Sequence, residues 1–235
     1  MRGCLSVLLA AALFVLGAAW FGGPTLAGAI VERSLAGAGF SGTGTTVAVS
    51  ADPPLALLGG HADRVVIQSS KASVGGVDAD RLTVTLIDVD LVARRFARVD
   101  GQLDGVVLHN ADGTAVEASS IGLVGRSDAA AATVRIAAAT IDAMARAAVR
   151  REVGVSVAAV RLVAPDWIVF TAGALQVEGR LVVDGAGSLG VAVAALGSGT
   201  IELVQPGGPL RLKSIRIEAR DLVLAGTYDL TGLTG

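Results

Sequence analysis

Residues 45–91 read TTVAVSADPPLALLGGHADRVVIQSSKASVGGVDADRLTVTLIDVDL, and the apolar period changes twice along them. Val47 and Val49 alternate with small polar residues, which predicts a strand over Thr45–Ser50 with one buried face. Asp52, Pro53 and Pro54 stop it, because two prolines remove two backbone donors and fix φ. Leu55, Leu57 and Leu58 then form an apolar turn of helix. Asp52 is placed to cap its start, Pro53 suits its first turn, and Gly59 and Gly60 tolerate the left-handed dihedrals that end it. A second strand follows at Arg64–Gln68, then a turn at Gly75 and Gly76, then a long strand in which Leu82, Val84 and Leu86 share a face. The parity afterwards moves to Ile87, Val89 and Leu91, which predicts a bulge near Leu86 or a strand covered on both sides.

Upstream, Leu26, Ile30 and Leu35 recur at helical spacing, so a short amphipathic helix is expected within Thr25–Ala38. Gly37-Ala38-Gly39-Phe40-Ser41-Gly42 matches the dinucleotide fingerprint in letters only. It follows a helix and precedes a strand, whereas a phosphate-binding loop needs the opposite order. Before it, Arg2 is followed by an uncharged apolar run from Leu5 to Phe21, which ends in Gly22, Gly23 and Pro24. Residues 1–24 therefore read as an export signal, cleaved or retained as an anchor through residues 5–21, and the first following charge, Glu32, places the remainder outside the cytoplasm. Residues 25–235 are expected to form a single β-rich domain.

Downstream, Arg94, Arg95 and Arg98 surround Phe96. Guanidinium groups match phosphate oxygens in a two-pronged way, so this cluster is a candidate for anionic headgroups, with a solvated turn as the plain reading. Asp100-Gly101, Asp104-Gly105 and Asp112-Gly113 are expected to turn a meander of short hairpins across Val99–Arg126. Ile136, Ile141, Met144, Ala148 and Val149 predict a helix within Thr133–Val153. Arg146, Arg150 and Arg151 lie on its other face, and Gly154 ends it. Strands are expected again at Ser156–Val163, Ile168–Phe170, Ala174–Val183, Leu189–Ala194, Thr200–Val204, Leu210–Glu218 and Leu222–Tyr228.

The chain has 235 residues, of which 52% are hydrophobic but only 3% aromatic. Its core must therefore be Val, Leu, Ile and Ala, a smooth lining that suits acyl chains as well as it suits ordinary packing. A net charge of −2 offers no basic field for nucleic acid. Cys4 is the sole cysteine and lies in the leader, and the two histidines are His61 and His109. That inventory supplies neither a disulfide nor a zinc site, and without a GxSxG elbow no serine hydrolase framework is present. Asp88 and Asp90 face one side of a strand, as do Asp78 and Asp80 if extended, a spacing open to calcium or to glycosidase chemistry. Apolar residues interleave with Asp88 and Asp90, which is also the ordinary alternation of a half-buried strand. No cofactor and no catalytic residue is expected.

What stands out is apolar surface. Leu55, Leu57 and Leu58 occupy a segment too short to support itself as a helix, so they dock on the sheet, line the lip of a lipid groove or dip into a membrane. Trp167 and Phe170 lie close together in sequence and suit a groove mouth or a core equally.

Residues 52–91, with GALQVEGRLVVDGAGSLGVAV at 173–193 and TIELVQPGGPLRLKSIRI at 200–217, resemble the LmeA-like phospholipid-binding proteins of actinobacterial-type cell envelopes. The likeness lies in a strand, a leucine-rich segment closed by glycine, an R-V-V-I strand, a small-residue spacer and a long alternating strand. It implies an α+β fold in which a long curved antiparallel sheet wraps one or two helices around an apolar groove, as in lipid-binding proteins of the TULIP or BPI type. It also implies binding of phospholipid such as phosphatidylinositol or cardiolipin at the membrane surface, without catalysis, in support of envelope lipid or lipoglycan maintenance. A membrane-tethered scaffold that pairs with a protein partner through its sheet edges is the alternative.

Overall fold

Alternation between residues 45 and 91 is realised as three neighbouring strands of one sheet. The computed structural model describes residues 28–29, 31–33, 35–37, 39–74, 77–109, 115–185, 187–194, 199–204 and 210–230. Helical residues at 28–29, 31–33 and 35–37 lead into β1 (Ser41–Ser50), a 3₁₀ helix η1 (Pro54–Gly59), β2 (His61–Val74), β3 (Val77–Asp90), β4 (Arg95–His109), β5 (Ala115–Arg126) and β6 (Ala129–Ile136). Helix α1 (Ala138–Val153) follows, then β7 (Ala159–Val163), β8 (Trp167–Ala172), β9 (Leu175–Val183), β10 (Leu189–Val193), β11 (Thr200–Val204), β12 (Leu210–Glu218) and β13 (Asp221–Tyr228). An eight-stranded antiparallel sheet runs β1-β2-β3-β4-β5-β6-β13-β12, and a five-stranded one runs β11-β10-β9-β8-β7. The protein is β-rich, with few helices.

The large sheet has one apolar face whose rows are continuous from strand to strand. Ser69 pairs with Leu82, Leu82 with Leu103, Leu103 with Ile121, Ile121 with Val134, Val134 with Leu224, and Leu224 with Ile215. The neighbouring row joins Val47, Ile67, Val84, Gly101, Leu123, Ala132, Gly226 and Leu212. Side chains opposite one another on one face are the unit that stabilises a sheet, so these rows fix the register. Long strands keep the face apolar by switching parity. Asp88 (φ 58), Lys71 (φ 51) and Gly105 (φ 59) stand where the switch occurs. The change expected near Leu86 thus falls at Asp88, and the pairing of β3 with β2 and β4 continues through it without an inserted residue.

Two larger bodies of buried side chains cover the two ends of that face, and a third, small one gathers Val99, Ala130 and Leu230 with Val84, Leu86, Phe96 and Tyr228 packed against it. At one end, Ile141, Ala145, Ala148 and Val149 of α1 join Val134, Ile136 and Leu222 of the large sheet and Ile168, Phe170, Leu181 and Val191 of the small one. Asp142 ties the helix to β7 by accepting the Val160 N–H at 2.8 Å. At the other end, Val49, Leu57, Val65, Ile67, Leu82 and Val89 form a second cluster, with Val31, Leu35 and Phe40 packed against it. Leu103 touches both clusters.

Several expectations are corrected. Asp100-Gly101 and Asp104-Gly105 are interior to the single strand β4 and turn nothing. A Cβ on Gly101 would make only ordinary contact with Val84 and Leu123, whereas Gly105 takes a positive φ where a Cβ would strike the Asp80 carboxylate. Glycine in a strand marks such close approaches and bends as readily as it marks turns. Residues 133–136 belong to β6, with Val134 and Ile136 buried in alternation, so the helix begins at Ala138. Gly154 does end it, at φ 73, donating its N–H to Arg150 O. Asp52 makes no side-chain cap on η1, whose N-cap position is Pro53. The expected long antiparallel sheet is present, and a second, five-stranded sheet accompanies it that was not expected. Residues 1–24, Gly75 and Gly76, and Asp112-Gly113 lie outside the described residues.

Ile141 is fully buried where α1 meets both sheets. Ile141→Ala should lower unfolding free energy by about 2–5 kcal/mol, read from the denaturant midpoint, because the cavity is enclosed on every side.

Candidate functional site

Geometry separates the three leucines of η1. A 3₁₀ helix has three residues per turn, so Leu55 and Leu58 eclipse one another while Leu57 points elsewhere. Leu57 is 9% exposed and belongs to the core cluster of β1–β3, whereas Leu55 is 42% and Leu58 65% exposed. One leucine therefore docks the segment on the sheet, and the other two are presented outward. Gly60 closes η1 in the left-handed conformation, its N–H donating to Ala56 O and Leu57 O.

The same end of the sheet carries the arginines. Gly60 O accepts the Leu91 N–H at 2.7 Å, which draws the β3–β4 turn against η1. Val92, 80% exposed, packs where a side chain on Gly60 would be, since a Cβ there would come within 2.5 Å of Val92 Cγ2. Asp90 holds the turn by accepting the N–H groups of Val92 at 2.9 Å and Ala93 at 2.8 Å. Arg94 takes φ 53 in this turn, and Arg95 and Arg98 open β4. All three are exposed, and among the described residues none makes a side-chain hydrogen bond or ion pair. Two candidate groups that lie about 40 residues apart in sequence thus meet at one tip of the fold.

Trp167 and Phe170 are not joined in this way. Three residues apart on β8, they face opposite sides of the strand. Phe170 is 6% exposed in the core beside α1, whereas Trp167, 41% exposed, borders an open depression of about 270 Å³ with Glu178, Arg180, Ala192, Val193, Ala194 and Gly199. A second depression of about 270 Å³ lies near Val182, Asp184, Ser188 and Thr200 on the same sheet. Neither reaches the leucine and arginine tip.

Histidines sit with carboxylates at both ends of the large sheet. His61 Nε2 lies 3.5 Å from Asp63 and 3.6 Å from Asp88, and His109 Nε2 lies 3.0 Å from Asp78. Asp78 is held below the usual carboxylate range, first by a hydrogen bond from the Ser73 side chain and then by one from His109. Among the described residues no group of three or more His, Cys, Asp or Glu is placed to hold a metal ion. No helix among them is long and apolar enough to cross a membrane, and the apolar run at 5–21 lies outside them.

No family model, curated relative or solved structure matches this chain. The resemblance to the LmeA-like proteins rests on the residues quoted for it.

Leu57→Ala should cost about 2–4 kcal/mol in chemical denaturation, and Leu58→Ala less than about 0.5 kcal/mol, because only the first opens a core. For Asp78, carboxyl NMR should give a titration midpoint below that of an exposed aspartate, and Ser73→Ala should move it upward. A carboxylate whose pKa is depressed by folding adds stability above its unfolded pKa, and that contribution fades as pH falls through the folded value.

Proposed function

We propose that this protein is exported to the cell envelope and binds phospholipid without catalysis, laying acyl chains along the apolar face of its large sheet. The observation that carries the reading is the middle of that face. Leu103 and Ile121 pack against the first core cluster, Val84, Leu86 and Leu103 against the second, and Val84 and Leu86 also against the small Val99–Ala130–Leu230 cluster, yet these four and Leu123 are only half-buried. Chains in water rarely leave several paired aliphatic side chains partly uncovered on an inner face, and such a strip offers an acyl tail dispersion contact with no polar group to strip of water. The resemblance to LmeA-like proteins supports phosphatidylinositol or cardiolipin as ligand, a lipid-binding architecture of the TULIP type and a supporting role in envelope lipid or lipoglycan maintenance.

Protein purified from its own host should release phospholipid on extraction and show the matching mass increment by native mass spectrometry. Leu123→Gln should reduce the lipid carried while circular dichroism keeps its strand signal. Lipid-free protein that takes up none from liposomes would contradict the reading.

One observation favours a second reading, a scaffold bound to a protein partner. Edge strand β1 runs ten residues without a charge or a proline, a composition that leaves its backbone groups open to an added strand. Recovery of one stoichiometric partner and no lipid in a pull-down would select it.

A further inference from the structure

We propose that the tip formed by η1 and the β3–β4 turn is a docking surface for an anionic phospholipid bilayer, with Leu55, Leu58 and Val92 entering the interface and Arg94, Arg95 and Arg98 on the phosphates. It shares with the acyl-binding reading only the premise that the protein works on lipid. Three large aliphatic side chains are exposed here by 42%, 65% and 80%, and the segments that carry them are joined by the Leu91–Gly60 hydrogen bond. Water gives no reason to hold them out together, and the hydrophobic contribution of such a patch is gained only against another apolar phase.

Charge selects the phase. Arg94, Arg95 and Arg98 lie in or directly beyond the turn, exposed and, among the described residues, without an ionic partner. Three of the aspartates at this end are engaged, while the Asp52 carboxylate beside η1 is exposed. Asp90 accepts the two N–H groups of the turn, Asp63 accepts the Asp52 N–H, and Asp63 and Asp88 flank His61. Apolar side chains beside free guanidinium groups are the composition that seats in the headgroup layer of an anionic leaflet, where the arms reach phosphate while the aliphatic groups sink below it. A protein groove would leave the guanidinium groups as well as the leucines to be matched. A bilayer supplies both layers at once.

Geometry gives the surface a direction as well. Leu57 and the cluster beneath it anchor η1 to β1–β3, so the exposed pair is held on a rigid base and not on a loose loop. The half-buried strip begins directly behind this base, with Val84 and Leu86 packed against the same cluster. A lipid leaving the leaflet at the tip would therefore meet apolar side chains without crossing open water.

The test places an environment-sensitive fluorophore at Val92→Cys in the full chain carrying Cys4→Ser, and a control at Leu175→Cys, exposed by 63% at the β8–β9 hairpin. With phosphatidylcholine vesicles containing phosphatidylglycerol, the label at 92 should shift to the blue and be quenched by brominated acyl chains, and the label at 175 should respond as in buffer. Replacing Arg94, Arg95 and Arg98 by Gln should weaken the response at 92 by about a hundredfold in lipid concentration. A label at 92 that stays in water, one that responds equally on pure phosphatidylcholine, or a response confined to 175 would overturn the proposal. Lipid extraction from the same preparations reads the acyl-binding proposal separately, since docking at the tip needs no lipid held on the sheet.

Discussion

Near-continuous pairing of apolar residues from strand to strand of the large sheet is the constraint on which the rest of this structure depends. Each row, such as Ser69–Leu82–Leu103–Ile121–Val134–Leu224–Ile215, commits one face of the sheet to leaving water. A slip of one residue in any strand would turn its aliphatic set outward, so the register of every strand reinforces that of its neighbours. Positive φ at Lys71, Asp88 and Gly105 lets strands of fourteen and fifteen residues twist while keeping that commitment.

A face so committed has to be covered, and the chain covers its ends differently. Helix α1 and the five-stranded sheet close one end with side chains of ordinary core size, and the Asp142 carboxylate clamps the helix to β7. The other end receives Leu57, Phe40 and the helical residues Val31 and Leu35. Between them the aliphatic strip is only half-buried. The proposed lipid function uses that incomplete cover, and the proposed membrane tip uses the two leucines that η1 leaves outside when it plants Leu57.

Strand positions were legible because period-2 alternation and proline-glycine punctuation are strong over this chain. The strands from Thr200 to Tyr228 fall within a residue of where the alternation puts them. The long strands were not, since Asp100-Gly101 and Asp104-Gly105 carry turn letters but lie inside β4, the second at a parity switch beside Asp80. Ile136 directly precedes the helical series Ile141, Met144 and Ala148, yet its neighbour Val134 pairs with Leu224 and holds it in a strand. Only the geometry of a 3₁₀ helix separates Leu57 from Leu55 and Leu58. The meeting of that segment with Arg94, Arg95 and Arg98 required the β2–β3–β4 register and the Leu91–Gly60 bond, neither of which any local pattern encodes. Trp167 and Phe170 show the converse, because two aromatics close in sequence fall on opposite faces of one strand.

The central claim is that the half-buried middle of the large sheet is where a fatty tail lies. Photo-crosslinking with a phospholipid that carries a diazirine in its acyl chain, followed by peptide mapping, tests this most directly. The account predicts label on β3, β4 and β5 around Val84, Leu103, Ile121 and Leu123. Label confined to Leu55, Leu58 and Val92, or to the small sheet near Trp167, would contradict it.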